Sequence, residues 1–194
     1  MARAIAREAE TVRALLGNRP IVVVGLMGAG KSSVGRRLAE KLKIPFVDAD
    51  HEIEAAAGKS VSEIFSDHGE AYFREGERKV IARLLGSGTQ VLATGGGAFI
   101  DAETRGRIQD HGVSVWLKAP LELLMKRVMK RQGRPLLQAV DPESVMRDLI
   151  EKRYPIYCLA DVTVESRDVQ HNNMVNDVIR ALTQWDGWER LKND

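Results

Sequence analysis

The chain carries one cysteine, Cys158, among 194 residues. A disulfide framework and a cysteine-based zinc cluster are therefore excluded, and Cys158 reads as a small core residue. Charge of one sign is also missing. Twenty-nine basic residues face 27 acidic ones, for a net charge of +2. That balance gives no bulk electrostatic reason to bind nucleic acid or an anionic membrane. No apolar run approaches the roughly 18 residues needed to span a bilayer. The N-terminus lacks the apolar stretch and small-residue cleavage site of a signal peptide, so a cytoplasmic protein is expected. His51, His68, His111 and His171 lie scattered without ligand spacing, which argues against a zinc site. What remains is ordinary for one globular domain, with 44% hydrophobic residues. A chain of this length buries about two-thirds of its unfolded surface and needs no staple.

Residues 1–19 read as a charged helical extension with a thin apolar stripe at Val12, Leu15 and Leu16, closed by Gly17-Asn18. No motif lies there, so its removal is expected to leave activity intact. From Pro20, short β-branched runs alternate with helical periodicity. IVVV at 21–24 suits a strand buried on both faces. Further strands are expected at 45–48, 90–94, 113–117 and 162–164. Helices are expected from Lys31, from the capping box Ser60-x-x-Glu63, and over 69–85. Others should start at Pro120 and at Asp141-Pro142, and a last one carries Met174, Val178, Ile179 and Leu182. This alternation predicts an α/β domain over 20–184, with a parallel sheet covered by helices on both faces. Residues 185–194 read as a polar tail, although Trp185 and Trp188 suit packing on the last helix.

The first strand runs directly into Gly25-Leu26-Met27-Gly28-Ala29-Gly30-Lys31-Ser32, which is G-x-x-x-x-G-K-S between a strand and a helix. Glycines let the backbone approach a phosphate, and the helix N-terminus supplies N–H groups and a favourable dipole. Lys31 brings a mobile charge to the outer phosphates, and the Ser32 hydroxyl can ligate magnesium. Four such fixed positions arise by chance in on the order of one chain in a hundred.

A small-molecule kinase also needs an acceptor site, a base and a cover. Asp48 and Asp50 close the second strand, where an open α/β sheet places its ligand crevice. One is a candidate for holding magnesium through water and the other for accepting a hydroxyl proton; alternatively, Asp50 caps a helix. Gly95-Gly96-Gly97 follows the third strand, as a ligand close to the main chain would require, although an ordinary turn is the alternative. Arg74 reads either as a surface charge or, with Glu77 three residues on to orient it, as a site residue, and Arg153 lies on the helix after the loop carrying Arg134. Converging arginines suit a carboxylate, and Arg134 on a loop near 131–140 suits a lid that neutralises transferring charge.

The loop GLMGAGKSSVGR, Asp48-x-Asp50, FREGE, the glycine triplet, RPLL and R-x-x-x-Y at Arg153 to Tyr157 occur in this order. Together they resemble the shikimate kinase family, ATP-dependent enzymes of chorismate and aromatic amino-acid biosynthesis. The resemblance covers about residues 20 to 170. It implies a nucleoside-monophosphate-kinase type of three-layer fold, a five-stranded parallel sheet of order 2-3-1-4-5, and a monomer acting on ATP, Mg2+ and shikimate. It implies that Gly28, Ala29, Gly30, Lys31, Ser32 and Ser33 bind ATP, with Ser32 and Asp48 serving the metal. Asp50 would hold the substrate hydroxyls and act as base or orienter. Arg74 and Arg153 would grip the carboxylate beside Gly96 and Gly97, and Arg134 would close onto the phosphates. Candidates for the adenine contact are Arg127, Arg131 and the loop after Glu165. A gluconate kinase and a non-catalytic nucleotide-binding regulator are the competing readings.

Overall fold

The computed structural model describes residues 2–130 and 140–192. Five strands form one parallel sheet: β1 (Ile21–Val24), β2 (Phe46–Asp48), β3 (Val91–Ala93), β4 (Val113–Lys118) and β5 (Val162–Glu165). Their spatial order is β2-β3-β1-β4-β5, the doubly wound order expected. Burial follows position in the sheet. Every residue of β1 and β3 is buried, whereas β5, an edge strand, alternates buried with exposed. Central strands are covered by helices on both faces, which is why their side chains need no polar alternation.

Eight helices surround the sheet among the described residues. They are α1 (Ala2–Leu16), α2 (Lys31–Leu42), α3 (Ala49–Ala57), α4 (Val61–Leu85), α5 (Ala102–His111), α6 (Leu121–Val128), α7 (Pro142–Tyr157) and α8 (His171–Gln184). The capping box is formed: Ser60 Oγ accepts from the Glu63 N–H while Glu63 accepts from the Ser60 N–H. Helix α4 is kinked at Gly69, whose φ of 80° and ψ of 176° no helical residue adopts. None of the described helices is long and apolar enough to cross a membrane.

Three expectations are corrected. Helix α5 has no counterpart in the sequence reading, because only Ile108 among its apolar residues supplies a core contact; the available signal was Asp101, which caps it by accepting from the Thr104 N–H at 2.8 Å. Residues 186–192 form a 3-10 helix instead of a polar tail. It seats Trp188 and Leu191 in the core, and Trp188 Nε1 donates to the Leu182 carbonyl. Cys158 is exposed, not buried; at the C-terminal cap of α7 the inward position falls to its neighbour Tyr157. At the other terminus, Ile5, Ala9, Val12 and Leu16 of α1 lie in the same core as the sheet, packed against α2 and α8.

Candidate active site

The C-terminal ends of β1, β2 and β3 open onto a cleft of about 360 Å³. Gly28, Gly30, Lys31, Ser32, Ser33, Asp48, Asp50, Gly95 and Gly96 line it. The parallel register explains the meeting. Val23 pairs with Ala93 and Ala93 with Asp48, so three strand tips end level and hand their loops to one space.

The phosphate loop enters α2 through Gly30, whose φ of 101° is a left-handed conformation that side chains resist. Ala29 is buried beneath the loop. Lys31 Nζ donates to the carbonyls of Gly25 at 2.9 Å and Leu26 at 3.1 Å, folded over the loop it serves. Ser32 Oγ donates to Asp48 Oδ2 at 2.7 Å. The helix cap in this region belongs to Asp48, whose Oδ1 accepts from the Asp50 N–H at 3.2 Å. Asp50 is thereby released from capping α3 and faces the cleft. Crowding by protein raises its pKa above the ordinary carboxylate value, and the Asp48 charge adds to the rise; Lys31 and Arg74 pull the other way.

The glycine triplet forms a rail with different charged side chains at each step. A methyl group on Gly95 would stand 2.9 Å from both Asp50 Oδ1 and Glu77 Oε1. One on Gly96 would lie 3.6 Å from Arg153 Nη1, and one on Gly97 only 2.4 Å from Arg74 Nη1. Arg153 Nη1 donates to the Gly96 carbonyl at 3.0 Å, and Tyr157 Oη donates to the same oxygen. Tyr157 is fully buried, which pushes its hydroxyl up to about 12. That phenol stays protonated and acts as a donor.

Arg74 is held on the helix that carries it. Its Nη1 donates to Glu77 Oε2 at 2.6 Å and its Nη2 to Glu70 Oε1 at 3.3 Å. Burial opposes the Arg74 charge, but the two carboxylates overcome it and hold the guanidinium's pKa above its usual value. Glu77 is 2% exposed, and burial raises its pKa despite Arg74. Its second oxygen, Oε1, is buried without a hydrogen-bond partner among the described residues and faces Gly95 beside Asp50.

At the opposite end of the cleft stand Arg127, Lys130, Ser166, Val169, His171 and Met174. Two of the adenine candidates, Arg127 and the loop after Glu165, thus reach the cleft. In the sequence Lys130 reads as a surface charge and Met174 as part of a core stripe, so neither signals the cleft. Arg131, Arg134 and the lid expected near 131–140 fall outside the described residues, Val140 apart. Ser32 and Asp48 offer hard oxygen donors beside the phosphate loop, a set that suits Mg2+, which takes one or two protein oxygens together with phosphates. The Ser32 proton is committed to Asp48 and its lone pairs are open to a cation.

A family model described as shikimate kinase matches residues 27–183. The shikimate kinase of Rhodopseudomonas palustris is 54% identical over 176 residues, covering 91% of this chain and 86% of that protein. That of Caulobacter vibrioides is 57% identical over 166 residues, covering 86% and 83%. Among solved structures, shikimate kinase from Acinetobacter baumannii in complex with shikimate matches with a TM-score of 0.79 and 38% identity, over 94% of this chain and 98% of that one. A gluconokinase from Sinorhizobium meliloti shares the fold alone, with a TM-score of 0.58 at 18% identity, over 91% of this chain and 98% of that one.

Proposed function

This chain belongs to the shikimate kinase family, and on that premise we propose how its cleft transfers the γ-phosphoryl group of ATP to the 3-hydroxyl of shikimate, giving shikimate 3-phosphate and ADP. One observation carries the reading. The phosphate loop and the glycine rail share a cleft, and Asp50, Arg74 and Arg153 all border that rail.

In this reading Gly28, Ala29, Gly30, Lys31, Ser32 and Ser33 cradle the phosphates, and Lys31 leaves the loop carbonyls to follow the transferring charge. Ser32, with Asp48 acting through water, would hold Mg2+. When bound there, Mg2+ would supply charge neutralisation for the nucleotide phosphates. Arg74 and Arg153 grip the substrate carboxylate, since guanidinium and carboxylate pair in a bidentate fork. Two cations on one carboxylate and backbone contacts at Gly96 and Gly97 fix the ring. Asp50 accepts the proton of the 3-hydroxyl as its oxygen bonds to phosphorus and the bond to the ADP oxygen breaks. A raised pKa makes Asp50 a better proton acceptor than an ordinary carboxylate. Arg134 is assigned to neutralise charge on the phosphates from the lid. The enzyme acts on two small molecules, as a cytoplasmic monomer without nucleic-acid or membrane partners.

The test is a coupled assay of ADP release with shikimate, gluconate, nucleoside monophosphates and no acceptor, side by side. Shikimate alone should drive rapid turnover. Brisk turnover with gluconate and none with shikimate would overturn the assignment.

A further inference from the structure

Ser166 follows directly on β5, far in sequence from the phosphate loop, and is only 2% exposed. Its backbone is tied to the sheet, its N–H donating to the Lys118 carbonyl at 2.6 Å. Its hydroxyl donates to the Ala29 carbonyl at 3.1 Å and accepts from Arg127 Nη1 at 2.9 Å. The same Arg127 Nη1 reaches the Ala29 carbonyl at 3.1 Å and the Gly28 carbonyl at 3.3 Å. Arg127 Nη2 is anchored on the Arg167 carbonyl at 2.9 Å. Two donors therefore meet the Ala29 oxygen, one for each of its lone pairs.

The geometry of a peptide unit gives this contact a consequence. Among the described residues no peptide bond is cis. In a planar trans peptide, the carbonyl of one residue and the N–H of the next point in opposite directions. Holding the Ala29 carbonyl back towards Ser166 and Arg127 turns the Gly30 N–H away from them. Gly30, with its left-handed backbone, has no side chain to lock that peptide against rotation. The restraint must come from outside the loop. Val34 N–H donates to the Gly30 carbonyl at 2.8 Å and fixes the following peptide, but not this one.

We propose that Ser166 is a positioning residue for the phosphate cradle, aiming the Gly30 N–H at the nucleotide phosphates by gripping the Ala29 carbonyl. The inference rests on the phosphate-binding part of the reading above and not on the acceptor. Ser166 acts through the loop without touching the reacting atoms, so its loss should weaken anion binding and spare binding of the base and of shikimate.

The experiment compares the full-length protein with Ser166→Ala and Ser166→Thr by calorimetry, using ADP, pyrophosphate, adenosine and shikimate as separate titrants. Losing the hydrogen bond to the Ala29 carbonyl, together with the hydroxyl that accepts from Arg127, should weaken ADP and pyrophosphate about three- to tenfold in Ser166→Ala, with adenosine and shikimate within about twofold of the parent. Ser166→Thr keeps the hydroxyl and should restore both anions. Equal weakening of adenosine and ADP would put Ser166 in base recognition, and equal weakening of shikimate would make it a general structural residue. Unchanged pyrophosphate affinity, or a threonine variant as weak as the alanine one, would also overturn the proposal. None of the anion titrations requires shikimate, so a failed acceptor assignment leaves this test standing.

Discussion

Asp48 closes β2 and Asp50 stands in the first turn of α3, so the two share a residue type and a cleft but have different surroundings. Asp48 has both oxygens engaged, one by Ser32 and one by the Asp50 N–H. Asp50 has its carboxylate towards the glycine rail. Substituting Asp50→Asn keeps the shape and removes the proposed base, so kcat should fall by at least about a hundredfold. A steady-state assay at saturating ATP and shikimate checks this; near-normal turnover would remove Asp50 from the chemistry. The direction of its pKa gives a second outcome. Protonated Asp50 cannot accept the hydroxyl proton, so activity is lost as pH falls through its pKa. Because crowding and Asp48 raise that pKa, the acid limb of kcat/KM should lie higher than an ordinary aspartate would put it. A pH profile of kcat/KM for shikimate locates that limb. Arg74→Ala removes a charged donor from the acceptor side alone. It should raise the KM for shikimate by about tenfold or more while leaving the KM for ATP nearly unchanged. Equal effects on both substrates would contradict the assignment.

At the scale of elements, the rail and the helices beside it depend on fit. Gly97 has an ordinary negative φ of −99°, so a side chain there meets no backbone strain. It would meet Arg74, which cannot step aside cheaply because Glu77 and Glu70 hold it. Gly97→Ala should therefore act as a milder Arg74 variant, raising the KM for shikimate with little change in melting temperature. A variant with normal kinetics would show that Arg74 moves freely. Gly106, inside α5, is the opposite case: nothing lies within 4 Å of a methyl group placed there. Gly106→Ala should stabilise the protein by about 0.5–1 kcal/mol through helix propensity alone, read as a raised melting temperature with unchanged kinetics.

At the scale of the whole molecule, α1 closes the core and does not hang from it. Ile5, Val12 and Leu16 are each at most 2% exposed. Burying such side chains is worth roughly 1.5–3 kcal/mol apiece, against a total stability of about 5–15 kcal/mol for a domain. Removing residues 1–18 should lower the melting temperature sharply and expose the α2 and α8 faces to aggregation. Thermal denaturation followed by light scattering decides it. Surviving molecules should keep their specific activity, because no cleft residue lies on α1.

Local chemistry and periodicity were enough to place the five strands, the phosphate loop, Asp48 at the end of β2 and Asp50 just beyond it in α3. These features depend on neighbours in the chain: a buried strand needs β-branched residues, and an anion nest needs glycines ahead of a helix. Arg74 and Arg153 could be named as a pair, but only the packing of α4 and α7 on either side of residues 95–97 brings them to one rail. The packing of Trp188 was legible, but the exposure of Cys158 and the burial of Leu191 were not, because burial at a helix end depends on which way the last turn faces. Ser166 escaped it for a deeper reason. A hydroxyl 137 residues from the carbonyl it holds leaves no periodic trace, and only the closing of β5 beside β4 brings the two together.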